Sequence, residues 1–140
     1  MAGGFILSAL LLKIQGLTPV ANTIRYMAVV DEAHRVAKFK PIDTMVREGR
    51  SKGLAVLLAT QQPSDLPDVI ATNAQTKICF RLPDATMARA AAKRLNPGDK
   101  QLPDLIRSLN TGEALVSLGG EQPQLVRMAQ LYRDQDKIIG

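Results

Sequence analysis

Two adjacent carboxylates, Asp31 and Glu32, end an apolar run that reads Tyr-Met-Ala-Val-Val over 26–30. Val29 and Val30 suit a strand buried on both faces, as in a parallel sheet. Acids at the carboxyl end of such a strand sit where ligands bind in open α/β sheets. A pair there can divide the work of phosphoryl transfer. The first acid, Asp31, holds Mg²⁺ through water, and the second, Glu32, polarises an attacking water. The same residues also read as a strand followed by an acidic helix start, because Asp is a good cap.

A second apolar run, Leu57-Leu58-Ala59, ends in Thr60 and Gln61. If the two runs are neighbouring parallel strands, Gln61 lies beside Asp31 and Glu32. An amide there can donate to a phosphate oxygen and accept from the attacking water. Arg47, Arg50 and Lys52 form a basic cluster between the runs. A guanidinium suits phosphate charge, so Arg47 or Arg50 is a candidate for reaching a neighbouring subunit's nucleotide. Arg81, at the end of a third apolar run, is a weaker candidate. A basic helix end stabilised by the helix dipole accounts for the same arginines.

Other chemistries find little support. There is one His and one Cys, with no His-Glu-x-x-His spacing, so no zinc site is built. Nothing marks an activated serine. The lone Cys79 cannot form an internal disulfide and reads as inert core. The net charge of +5 favours anionic partners such as nucleic acid. Much of it is local: Arg35, Lys38, Lys40, Arg47, Arg50 and Lys52 are offset only by Asp43 and Glu48. Phe5 to Ile14 is apolar but too short to span a membrane and lacks the marks of a signal peptide, so a core helix on a sheet and a cytoplasmic location are expected.

The elements that must position these groups alternate. Residues 4–16 read as a helix stopped near Gly16, and 24–30 as a strand. Residues 34–48 are apolar at helical spacing, with Pro41 as a break or fresh start. Strands follow at 54–59 and 75–82, with a turn and short helix over 63–73 between them. Residues 84–95 and 101–109 read as helices. Residues 111–118 and 124–129 read as strands of a hairpin about Gly119-Gly120. At 46 % hydrophobic, the 140 residues suffice for one domain with a real core. The expected class is α/β, a mostly parallel sheet with flanking helices and a terminal hairpin.

Four segments taken together carry a resemblance: Val-Val-Asp-Glu-Ala-His, Arg-Glu-Gly-Arg-Ser-Lys-Gly-Leu, Leu-Ala-Thr-Gln-Gln-Pro-Ser-Asp-Leu, and Asn-Ala-Gln-Thr-Lys-Ile-Cys-Phe-Arg-Leu. In order and spacing, across about residues 24–128, the chain resembles the HerA/FtsK group of DNA-pumping ATPases, and HerA-like helicases and translocases most of all. The resemblance implies a RecA-like motor core, ATP and Mg²⁺ as cofactors, and a hexameric ring around duplex DNA. It implies that Asp31-Glu32 is a Walker B pair, with Asp31 serving Mg²⁺ and Glu32 as catalytic base. It further implies Gln61 as strand-end sensor, Thr60 beside the nucleotide, and Arg47 or Arg50 as finger. Gln62 stands where the family often has Arg and receives no role. Asp-Glu-Ala-His also labels superfamily 2 RNA helicases, but their Ser-Ala-Thr motif and second RecA domain have no counterpart here.

The family's phosphate loop, Gly-x-x-x-x-Gly-Lys-[Ser/Thr], does not occur in the 140 residues. That loop supplies the amide cradle and lysine that hold the phosphates. The expectation is a single domain over 1–140, the C-terminal part of a motor core, inactive alone. The alternative is a non-catalytic module that binds related motor subunits or DNA.

Overall fold

The computed structural model describes residues 2–20 and 23–128. The chain divides into two compact units, Met1–Ala74 and Gln75–Gly140.

Unit 1 contains α1 (Ala2–Gln15), β1 (Tyr26–Val30), α2 (Lys40–Glu48), β2 (Leu54–Leu58) and α3 (Asp68–Asn73). Pro41 begins a helix rather than breaking one: it falls in the first turn of α2, where its missing N–H costs nothing. On α2, Ile42 and Met45 are fully buried and meet Ile14 of α1, Leu54 of β2 and Ile70 of α3. β1 and β2 pair in parallel, with Val30 opposite Leu58. Their alternate residues Ala28, Val30, Val56 and Leu58 pack on the helices. The other face is open: Met27 is 62 % and Val29 65 % exposed. The strand expected to be buried on both faces is therefore buried on one, the face that meets the helix cluster. The apolar segment expected to lie on a sheet packs through Ile14, Leu10 and Leu11, and its main neighbour is α2.

The start of β1 is tied to the start of β2 by Gly53, whose carbonyl accepts from the N–H groups of Arg25 and Tyr26. Gly53 has φ 73°, a left-handed conformation, and an added Cβ would sit 2.8 Å from the Thr23 carbonyl oxygen. Only glycine meets both demands.

Unit 2 contains β3 (Thr76–Phe80), α4 (Ala85–Leu95), α5 (Leu102–Ser108), β4 (Glu113–Leu118) and β5 (Gln124–Arg127). Asp84 caps α4 by accepting from the N–H groups of Thr86 and Met87. The small face Ala88, Ala91 and Ala92 lets α4 approach α5, and both bury against Leu115. The three strands form an antiparallel sheet in the order β3-β4-β5. The hairpin about Gly119-Gly120 forms as expected, with both glycines at positive φ. Ala129 lies outside the described residues. Among the described residues β1 and β2 form the parallel pair, and β3-β4-β5 are antiparallel. The two helices between β3 and β4 return the chain so that β4 runs against β3.

Candidate functional site

The carboxyl ends of β1 and β2 come together because the parallel ladder continues past both strands. The Ala59 N–H donates to the Val30 carbonyl (2.9 Å), and the Ala33 N–H donates to the Ala59 carbonyl (2.8 Å). Ala33 is completely buried. These bonds clamp Asp31-Glu32 from one strand against Thr60-Gln61 from the other.

Between the clamps the chain turns sharply. Glu32 has φ 49° and ψ 43°, the only non-glycine residue at positive φ among the described residues. A left-handed conformation costs an L-residue about 1–2 kcal/mol. The Asp31 carboxylate holds the turn, Oδ1 accepting the Glu32 N–H at 2.8 Å. The Glu32 side chain then meets β2: Gln61 Nε2 donates to Glu32 Oε1 at 3.0 Å. The acid and the amide that the sequence singled out are bonded across 29 residues of chain.

His34 completes the group, and sequence reasoning gave it no part. Its Nδ1 lies 3.4 Å from Glu32 Oε2 and 3.2 Å from Thr60 Oγ1. The signal available was its position two residues after Glu32, but no spacing rule ties it to Thr60. The Thr60 hydroxyl also accepts the Gln62 N–H at 3.0 Å. This bond steadies the end of the strand.

The arginines lie elsewhere. Arg47 on α2 pairs with Asp43 at 2.9 Å. Arg50 is exposed in the turn that leads into β2. The five residues of β2, at about 3.3 Å each, put this turn about 16 Å from the Gln61 end. Neither arginine joins Glu32 and Gln61 within the same subunit. Arg81 is exposed after β3, in unit 2.

Among the described residues no three His, Cys, Asp or Glu side chains form a direct metal site. A single acid that acts through water fits Mg²⁺ better, since that ion keeps most of its hydration shell. Asp31 suits this role: Oδ1 is engaged by the backbone and the side chain is exposed to solvent. Burial raises the Cys79 thiol to about 11, in keeping with inert core. Among the described residues no helix is long and apolar enough to cross a membrane.

The α/β fold is that of the RecA-like nucleotide triphosphatases, as its likeness to solved structures shows. The genome packaging NTPase B204 of Sulfolobus turreted icosahedral virus 2, determined with ATP-gammaS, aligns with a TM-score of 0.61 at 20 % identity, over 74 % of this chain and 52 % of that one. The bacterial conjugative coupling protein TrwBdeltaN70 aligns with a TM-score of 0.70 at 15 % identity, over 88 % of this chain and 36 % of that one. TrwB has also been determined with a non-hydrolysable GTP analogue. Residues 27–138 match the model of the helicase HerA-like C-terminal family, and the chain belongs to that family, within the HerA/FtsK-type motors. The DNA double-strand break repair helicase HerA of Sulfolobus acidocaldarius is 28 % identical over 122 residues, which cover 81 % of this chain and 24 % of that protein. The chain thus spans about a quarter of the length of this relative.

Proposed function

We propose that the chain supplies the hydrolytic edge of an ATP-driven DNA translocase or helicase motor of the HerA/FtsK type. The observation that carries the reading is the hydrogen bond from Gln61 Nε2 to Glu32 Oε1 at the carboxyl ends of two parallel strands. Glu32 is the general base, taking a proton from water at its carboxylate. Gln61, bonded to that carboxylate here, senses phosphate by exchanging this partner for a phosphate oxygen. Asp31 holds hydrated Mg²⁺, which neutralises phosphate charge when bound. Thr60 shapes the end of β2 and keeps Gln61 in place.

Arg50, exposed and remote from its own subunit's Glu32, acts on the neighbouring subunit's nucleotide in a hexameric ring. Arg47, tied to Asp43, supports it. The exposed cations Arg35, Lys38, Lys40, Arg47 and Arg50 are suited to an anionic partner, and duplex DNA is the one the reading names. The nucleotide's phosphates need a cradle of backbone amides and a lysine, and no phosphate-loop motif occurs in residues 1–140.

Residues 1–140 alone should show negligible hydrolysis of Mg²⁺-ATP, with or without duplex DNA. Joined to a half that carries a phosphate loop, they should turn over. Glu32→Gln should then lower kcat by about 10²–10⁴-fold, the usual worth of a general base. Arg50→Ala should abolish turnover while sparing nucleotide binding. Robust turnover by residues 1–140, lost in Glu32→Gln, would mean that a phosphate site lies within the chain and that the fragment reading fails.

A further inference from the structure

His34 stands between two partners and has only one position to give them. Nδ1 faces Thr60 Oγ1 at 3.2 Å and Glu32 Oε2 at 3.4 Å. A neutral imidazole carries its proton on either Nδ1 or Nε2. With the proton on Nε2, the bare Nδ1 accepts from the Thr60 hydroxyl and turns a lone pair toward the Glu32 carboxylate. Glu32 then keeps Gln61 as its anchor. With the proton on Nδ1, the ring donates to Glu32 Oε2, and both carboxylate oxygens are held by donors from different elements.

The second arrangement is favoured on three grounds. A hydrogen bond to a carboxylate is about twice as strong as one to a neutral hydroxyl. The Thr60 oxygen already accepts the Gln62 N–H, so an Nδ1–H finds a better acceptor in the Glu32 carboxylate than in Thr60. The His34 side chain is only 15 % exposed, so water competes poorly for its nitrogen.

We propose that His34 is a positioning residue for Glu32: Nδ1–H fixes the second carboxylate oxygen, and the Thr60 hydroxyl is the alternative partner through which the end of β2 can release it. The ring acts through Glu32. A carboxylate anchored at both oxygens keeps one orientation, and orientation decides whether a base reaches its water. When Thr60 takes the ring nitrogen, Glu32 is freed to turn about Gln61. A displacement at the end of β2 is thereby passed to the base without a change in β1. The inference rests on the reading of Glu32 as the base, but the measurement that tests it does not use hydrolysis. A failure of either is therefore visible separately.

His34 is the only histidine in the 140 residues, so its ring nitrogens can be observed without assignment ambiguity. In a ¹⁵N-labelled sample of the whole chain at pH 8, long-range ¹H–¹⁵N correlation should show Nδ1–H as the major tautomer. Glu32→Ala should invert the population to Nε2–H, and Glu32→Gly should do the same if Ala disturbs the turn. Thr60→Val, which keeps the shape and removes the hydroxyl, should leave Nδ1–H in place. A wild-type chain with Nε2–H in the majority would assign the ring to Thr60 and overturn the proposal. So would an Nδ1–H majority that persists in both Glu32 variants.

Discussion

The left-handed backbone at Glu32 gives a direct way to test whether this turn is built around a carboxylate. Replacing Glu32 by Ala and by Gly removes the same side-chain partners, Gln61 and His34, so those losses cancel between the variants. What remains is the backbone. Ala keeps the cost of φ 49°, about 1–2 kcal/mol for an L-residue. Gly escapes it but surrenders about 0.4–1 kcal/mol through the extra freedom of its unfolded chain. Glu32→Gly should therefore be more stable than Glu32→Ala by about 1 kcal/mol. If the compact unit of 74 residues melts by itself, that corresponds to about 4–8 °C in Tm. Thermal melts followed by circular dichroism, with urea titrations as a second measure, read the difference. Glu32→Asn should fall between them, because Asn tolerates the left-handed region. If the Ala variant exceeds the Gly variant in stability, the turn is not left-handed in solution. The geometry that aims Glu32 at Gln61 would then be wrong.

Gly53→Ala should destabilise the chain by about 2–4 kcal/mol in urea titrations, since it adds left-handed strain to a backbone collision at Thr23; a loss under about 0.5 kcal/mol would refute the tie between the two strand starts. In unit 2 the Asn110 backbone N–H, helped by its side chain and by Arg127, holds the Glu113 carboxyl below its ordinary value of 4.5. A lowered folded-state value contributes stability that is present above the unfolded value and lost as pH falls through the folded one. Melts should therefore show an acid-linked loss beginning near pH 4.5, and Glu113→Gln should flatten that part of the profile; an unchanged profile would remove Glu113 from it. The Cys79 thiol, raised to about 11 by burial, should react with an aromatic disulfide at pH 8 only after unfolding, and rapid labelling of the folded chain would contradict its place against the α4–α5 core.

Much of this molecule is written in local pattern. Apolar runs that stop at Asp31 and at Thr60 mark two strand ends, because a buried strand must stop where charge or an unpaired amide begins. Pro41, Asp84 and the Gly119-Gly120 pair mark a helix start, a cap and a hairpin by constraints that act within a few residues. The acid pair and Gln61 could be named for the same reason: each is a polar residue at the end of an apolar strand. Their meeting could not be read locally. It depends on the register that sets Val30 opposite Leu58 and on the two backbone bonds through Ala59. Pairing across 28 residues is decided by the packing of α2 and α3 beneath the strands, where many weak contacts add up. The left-handed turn at Glu32 was hidden as well, since glutamate carries no preference for it and the conformation is imposed from both sides by Asp31 and Ala33. The solvent-open faces of Met27 and Val29 are not legible in the sequence for a related reason. Hydrophobicity shows that a side chain gains by burial, but only the arrangement of helices decides which face of a strand receives it. His34 is the sharpest case: its type and position were plain, but its role exists only where β1 and β2 end side by side.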